Sequence, residues 1–85
     1  RLGHARFLRN VLIAIGNSGD DELAQLAEAR LADADPLIRG AAVWATRRLV
    51  AADKAGALAL AFLPREGDIS VQAEWSAVVQ PVRAD

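Results

Sequence analysis

The chain contains no cysteine. That absence removes disulfide cross-links, thiolate metal sites and cysteine nucleophiles. It has a single histidine, His4, which cannot build a metal site alone. Asp20, Asp21 and Glu22 crowd one predicted helix start, but no second ligand cluster follows them. They read as complements to the helix dipole, not as a metal centre. No apolar run approaches the ~18 residues of a membrane span, and no secretory leader is visible, so no membrane partner is expected. No segment alternates apolar and polar residues as a strand does, and there is no low-complexity tract. Net charge is −1, too small for a global basic field that would draw in nucleic acid. No nucleophile, acid–base pair or metal cluster stands out. A self-contained enzyme is therefore the weakest reading, and no catalytic residue is assigned.

What is present is helix-forming sequence. The 85 residues are 53% hydrophobic, with Ala and Leu dominant. They make one small domain, residues 1–85, burying roughly 60% of its unfolded surface. The pattern predicts an all-α fold of about five helices. The first spans residues 5–16, with Leu8, Val11, Leu12 and Ile15 on one face, and Gly16-Asn17-Ser18-Gly19 stops it through left-handed conformations. Ser18 or Asp20 caps the second, near 20–32, whose stripe is Leu23, Leu26, Ala27 and Leu31. The third, near 36–51, opens with an N-cap aspartate and a first-turn proline, Asp35-Pro36. Ile38, Ala41, Ala42, Ala45 and Leu49 then share a face whose small alanines allow close helix approach. The fourth, near 54–63, is apolar almost all round and should be well buried. Pro64 and Gly67 end it. Asp68 caps the fifth, near 69–79, with Val71, Trp75 and Val78 inward.

Part of this sequence repeats. Asp68-Ile69-Ser70-Val71-Gln72 lies 33 residues after Asp35-Pro36-Leu37-Ile38-Arg39. Aspartate matches aspartate and Val71 replaces Ile38, while Gln72 breaks the Arg pattern. A partial earlier copy sits at Leu8-Arg9. Periods of this size belong to stacked helical hairpins, and the Asp-Pro and Arg-x-Ala-Ala elements have the look of HEAT-type repeats, here about two and a half units. The chain starts inside a helical pattern and without Met, which leads us to expect a C-terminal fragment of a longer protein. A solenoid unit buries its apolar face on a neighbour. The face around Phe7, Leu8, Val11 and Ile15 is then expected to lie open and to drive self-association of the isolated fragment.

Charge alternates along the chain. Residues 1–19 carry Arg1, Arg6 and Arg9 and no acid. Residues 20–35 carry six acids and Arg30, net −5, and residues 36–54 are net +3. Alternate helices of stacked hairpins line opposite surfaces, so Arg6, Arg9, Arg39, Arg47 and Arg48 become candidates for a shared basic surface able to meet a polyanion. Asp20, Asp21, Glu22 and Glu28 fall on the other side. A solvated face with intrahelical ion pairs is the competing reading. Arg39 is expected to pair with Asp35 or Asp33 and brace the repeat in preference to touching a ligand. Trp44, on a flank with Leu37 and Ala41, is expected to pack against the next unit in preference to stacking on a base. Trp75 belongs to the core. His4 is expected in solvent, adding to the basic cluster when protonated. Gly16-Asn17-Ser18-Gly19 lacks the spacing and lysine of a phosphate-binding loop and reads as a turn.

Phe7 to Asp20, FLRNVLIAIGNSGD, followed by Asp35 to Ala45, DPLIRGAAVWA, resembles the C-terminal HEAT-like region of epoxyqueuosine reductase. The likeness covers residues 7–49 well and the rest loosely. Thr46-Arg47 departs from the apolar residue and polar spacer expected after Trp44-Ala45. The resemblance implies a parent oxidoreductase of queuosine biosynthesis that reduces epoxyqueuosine to queuosine at the wobble position of certain tRNAs. Such a parent uses cobalamin and two four-iron four-sulfur clusters. In that family the cluster cysteines and catalytic acid lie in the N-terminal parts, so no cofactor is expected in this chain. The implied partners are the N-terminal catalytic domains and tRNA, and the implied location is cytoplasmic. Scaffold, domain packing or tRNA contact is what such a segment contributes. A HEAT-repeat protein–protein interaction module is the alternative, and a ferredoxin-like cysteine run upstream of Arg1 distinguishes the two.

Overall fold

The computed structural model describes residues 2–79. Helices α1 (Leu2–Asn17), α2 (Ala24–Glu28), α3 (Pro36–Leu49), α4 (Ala52–Phe62) and α5 (Ile69–Val79) follow in order. Short 3-10 turns at Asp21–Leu23 and Leu63–Arg65 precede α2 and follow α4. No strand occurs among the described residues, so the all-α expectation holds, with four of the five helices near their predicted bounds and α2 much shorter than its predicted span. None is long and apolar enough to cross a membrane.

Capping starts these helices where the sequence indicated. Asp35 Oδ1 accepts from the Leu37 amide at 2.8 Å, and Asp68 Oδ1 accepts from the Val71 amide at 3.1 Å. Asp20, not Ser18, caps the second segment through the Glu22 amide at 2.9 Å. The Ser18 hydroxyl instead donates to the Ile15 carbonyl and closes α1. The left-handed residue that ends this helix is Gly19 alone, at φ 70°. Gly16 and Asn17 remain helical, which corrects the expected stop. The second helix is also shorter than predicted. After Glu28 the amides of Arg30, Leu31 and Asp33 each reach back only three residues, to Ala27, Glu28 and Arg30, so the helix tightens into turns.

α3 is the centre of the molecule, packed between α1 and α5; α2 bridges α1 and α3, while α4 lies mainly on α5. The core follows from this. Leu12 and Ile15 of α1, Ala27 of α2, Leu31 just after it, Ile38, Ala42, Val43 and Ala45 of α3, Ala59 of α4 and Val71 and Trp75 of α5 form one buried cluster. Trp75 stacks on Phe62 with ring centroids 5.7 Å apart, tying α5 to α4.

Two stripe assignments change. Leu26 points outward. More consequentially, α4 is not well buried: Ala55 and Ala59 are covered, but Leu60 is 75% exposed. The reason is topological. α4 touches α5 and only the margin of α3, so an all-round apolar helix here has one covered face and one open face. On α1, Phe7 (65%) and Val11 (38%) are open as expected. Leu8 is half-buried and Ile15 is covered by the chain itself.

Candidate functional site

The sequence repeat reappears as a hydrogen-bond frame. Before α3, Asp33 Oδ1 accepts from the Asp35 amide at 2.9 Å; before α5, Glu66 Oε2 accepts from the Asp68 amide at 2.9 Å. Arg39, in the first turns of α3, donates through Nη1 to the carbonyls of Asp33 (3.0 Å) and Ala34 (3.1 Å). Gln72, in the same place on α5, donates through Nε2 to the Glu66 carbonyl at 2.6 Å. Gln72 therefore preserves the function of the arginine it replaces: both side chains tie down the loop preceding their own helix. Ile38 and Val71, each 1% exposed, fill equivalent core positions.

Arg39 does one thing more. Its Nε and Nη2 clasp both carboxylate oxygens of Glu66, at 2.9 and 2.7 Å. The partner is thus Glu66, 27 residues on, and not the expected carboxylate of Asp35 or Asp33. Asp33 serves through its backbone carbonyl while its side chain meets Arg30 at 3.3 Å. Arg39 holds the Glu66 carboxyl below the usual glutamate range, chiefly through this hydrogen bond, against the opposing effect of burial; Glu66 in turn raises Arg39 further. Together with Leu31, Phe62 and Arg65 the pair lines a polar hollow of about 320 Å³.

The other basic candidates scatter. Arg47 pairs with Glu74 of α5 at 3.0 Å. Arg48 Nε donates to the Gly16 carbonyl at 3.1 Å, and its guanidinium carbon lies 4.9 Å from the Trp44 ring centre, a cation–π distance. Arg9 reaches only its neighbour Asn10, at 3.3 Å, and Arg6 is exposed without an ion pair among the described residues. Among the acids, Glu28 lies 3.0 Å from Lys54 of α4, close enough to pair though not aligned as a hydrogen bond. Arg39 and Arg47 are therefore neutralised by acids, and Arg48 is held by a carbonyl and an indole, whereas Arg6 and Arg9 have no such tertiary contact among the described residues.

Trp44 packs back on α1, not on a following unit. A Cβ on Gly16 would come within 2.5 Å of Trp44 Cζ3 and 3.0 Å of the Ala45 Cα, so the glycine permits the approach of α1 to α3. The sequence presents Gly16 as part of a turn, but it is the penultimate residue of α1 and lies within the helix. Above this contact runs a groove of about 330 Å³ over α3, between α1 and α5. Leu37, Gly40, Ala41 and Trp44 form its floor, Arg9 and Ile13 one wall, Ser70 and Glu74 the other. The groove is concave and mostly apolar, with a few polar groups at its margins.

No protein family, curated protein or solved structure matches the chain. The described residues define an all-α fold in which the loops before α3 and α5 carry matching hydrogen bonds.

Proposed function

We propose that this chain is a HEAT-like, non-catalytic domain of an epoxyqueuosine reductase. It serves in the cytoplasm as scaffold for N-terminal catalytic domains that carry the cobalamin and iron–sulfur clusters. The observation that carries the reading is the frame recurring at 33 residues, with its cross-link from Arg39 to Glu66. It is the arrangement expected of stacked repeat units that brace one another. The residues behind the resemblance also meet in space: Gly16 lies in the first quoted segment, Trp44 in the second, and the two pack together. tRNA contact in this reading falls to Arg6 and Arg9, because Arg39, Arg47 and Arg48 already have partners. Two phosphate contacts would add about 1.4 to 1.8 to the salt slope of log affinity. The parent reading frame provides the test. A Cys-x-x-Cys-x-x-Cys-x-x-x-Cys-Pro run upstream of Arg1 is expected; continued helical repeats without cysteine would contradict it.

A second reading, a protein–protein interaction module, is favoured by one observation: the groove over α3 has an apolar floor, which suits a protein side chain better than a phosphate backbone.

A further inference from the structure

The groove over α3 combines three features that select an occupant. Its floor is apolar, and Leu37 is 47% exposed there. Of the two charged residues on its walls, Glu74 is taken by Arg47, whereas Arg9 meets only the side chain of Asn10. The groove therefore presents one open positive charge beside an apolar surface. The third feature is Gly40. In mid-helix a glycine is less stable than alanine by about 1 kcal/mol. Yet a Cβ at Gly40 would meet only Val71 Cγ2, at an ordinary 3.8 Å. Unlike Gly16, Gly40 answers no packing need within the chain, and it leaves the groove floor open to close approach.

We propose that the groove docks an acidic amphipathic helix of a partner protein. Its aliphatic side chains rest on Leu37 and Trp44 beside Gly40, and a carboxylate one turn away pairs with Arg9. The mode is helix-in-groove recognition. An RNA strand fits poorly, since it needs a row of cations along its backbone and the groove offers one. A second copy of this chain fits poorly too. Its open apolar face, Phe7 and Val11, is flanked by Arg6 and Arg9, the same sign as the groove. The proposal uses only the groove and holds whichever parent carries the chain. It competes with tRNA for Arg9 alone, and the experiment separates the two.

The probe is a short acetylated peptide without tryptophan, Leu on one helical face and Glu on the other. Its Glu→Lys counterpart and an oligouridylate serve as comparators. Trp44 reports by fluorescence, because Trp75 is buried. The acidic peptide is expected to bind the full chain about tenfold more tightly than the Lys peptide, and Arg9→Glu should reverse that order. Gly40→Ala should weaken binding severalfold while leaving the melting temperature unchanged or higher, so lost binding cannot be lost folding. The proposal fails if neither peptide binds, if both bind equally, if Gly40→Ala binds as wild type does, or if the oligouridylate displaces the acidic peptide.

Discussion

The loop before α3 and the loop before α5 solve the same problem with different residues. In each, an acid two positions before the N-cap accepts from the cap residue's amide, an aspartate caps the helix, and a side chain four positions into the helix donates back to the loop. Asp33 and Glu66 differ in length, Arg39 and Gln72 in charge, and the hydrogen bonds recur. What a repeat keeps is the satisfaction of its loop's backbone groups, which unmade cost more than any one residue identity contributes. The frames differ in reach. Arg39 also clasps Glu66 of the following frame. Gln72 is neutral and stops at its own loop.

The largest effects should come from the equivalent core positions. Ile38→Ala is expected to lose about 3 kcal/mol and Val71→Ala about 2 kcal/mol in denaturant unfolding. The inequality follows from side-chain size, since isoleucine carries one methylene more than valine and the two positions are equally buried. A difference well beyond about 1 kcal/mol would show that the two core positions are not equivalent.

Next comes the cross-link. Glu66→Gln should cost about 2 kcal/mol at neutral pH, because Glu66 is 7% exposed and the change leaves Arg39 without its counter-charge. The same interaction sets a pH dependence. The folded-state pKa of Glu66 is lowered, so its contribution is complete above the ordinary glutamate pKa and disappears as the pH falls through the lowered folded value. Wild type and Glu66→Gln should therefore converge in stability on acidification. A gap constant across that range would remove the ion pair from the account. The neutral counterpart is weaker: Gln72→Ala should lose about 1 kcal/mol, with no such pH dependence, in parallel unfolding curves.

The smallest expected effect is a gain. Thr46 is buried on α3, and its hydroxyl has no hydrogen-bond partner. Val79 stands 33 residues later, at the matching position of the second copy. Thr46→Val should stabilise the chain by up to about 1 kcal/mol, seen as a raised melting temperature. A lowered one would show that the hydroxyl has a function in place.

Local chemistry was legible in the sequence, and distant pairing was not. Asp35 and Asp68 announce their helices because a cap needs only its own next residues. The inward positions of Ile38, Val71 and Trp75 follow from helical periodicity. By contrast, the open face of α4 depends on which helices lie beside it, and an apolar sequence cannot reveal that its neighbours cover one side only. Leu60 lies on the open side. The partners of Arg39, Arg47 and Arg48 lie 27 to 32 residues away, beyond any helical spacing rule. One signal was available: Asp33 and Glu66 occupy the same repeat position 33 residues apart, and aligning the copies from their acids would have marked Glu66. The groove was half visible. Helical spacing puts Trp44, Leu37 and Ala41 on one flank, but nothing local marks Gly16 as the residue that lets Trp44 settle against α1.

The claim that these two frames are copies joined by Arg39 is tested most directly by a double-mutant cycle at neutral pH. Arg39→Gln gives the first frame the second frame's residue, Glu66→Gln removes the acceptor charge, and the double variant removes both. Stability of the four proteins by denaturant unfolding should yield a coupling of about 1 to 2 kcal/mol, with the Arg39→Gln protein still folded because glutamine can hold the Asp33 loop as Gln72 holds its own. Additivity of the two changes to within about 0.5 kcal/mol would contradict the cross-link and leave two independent capped helices.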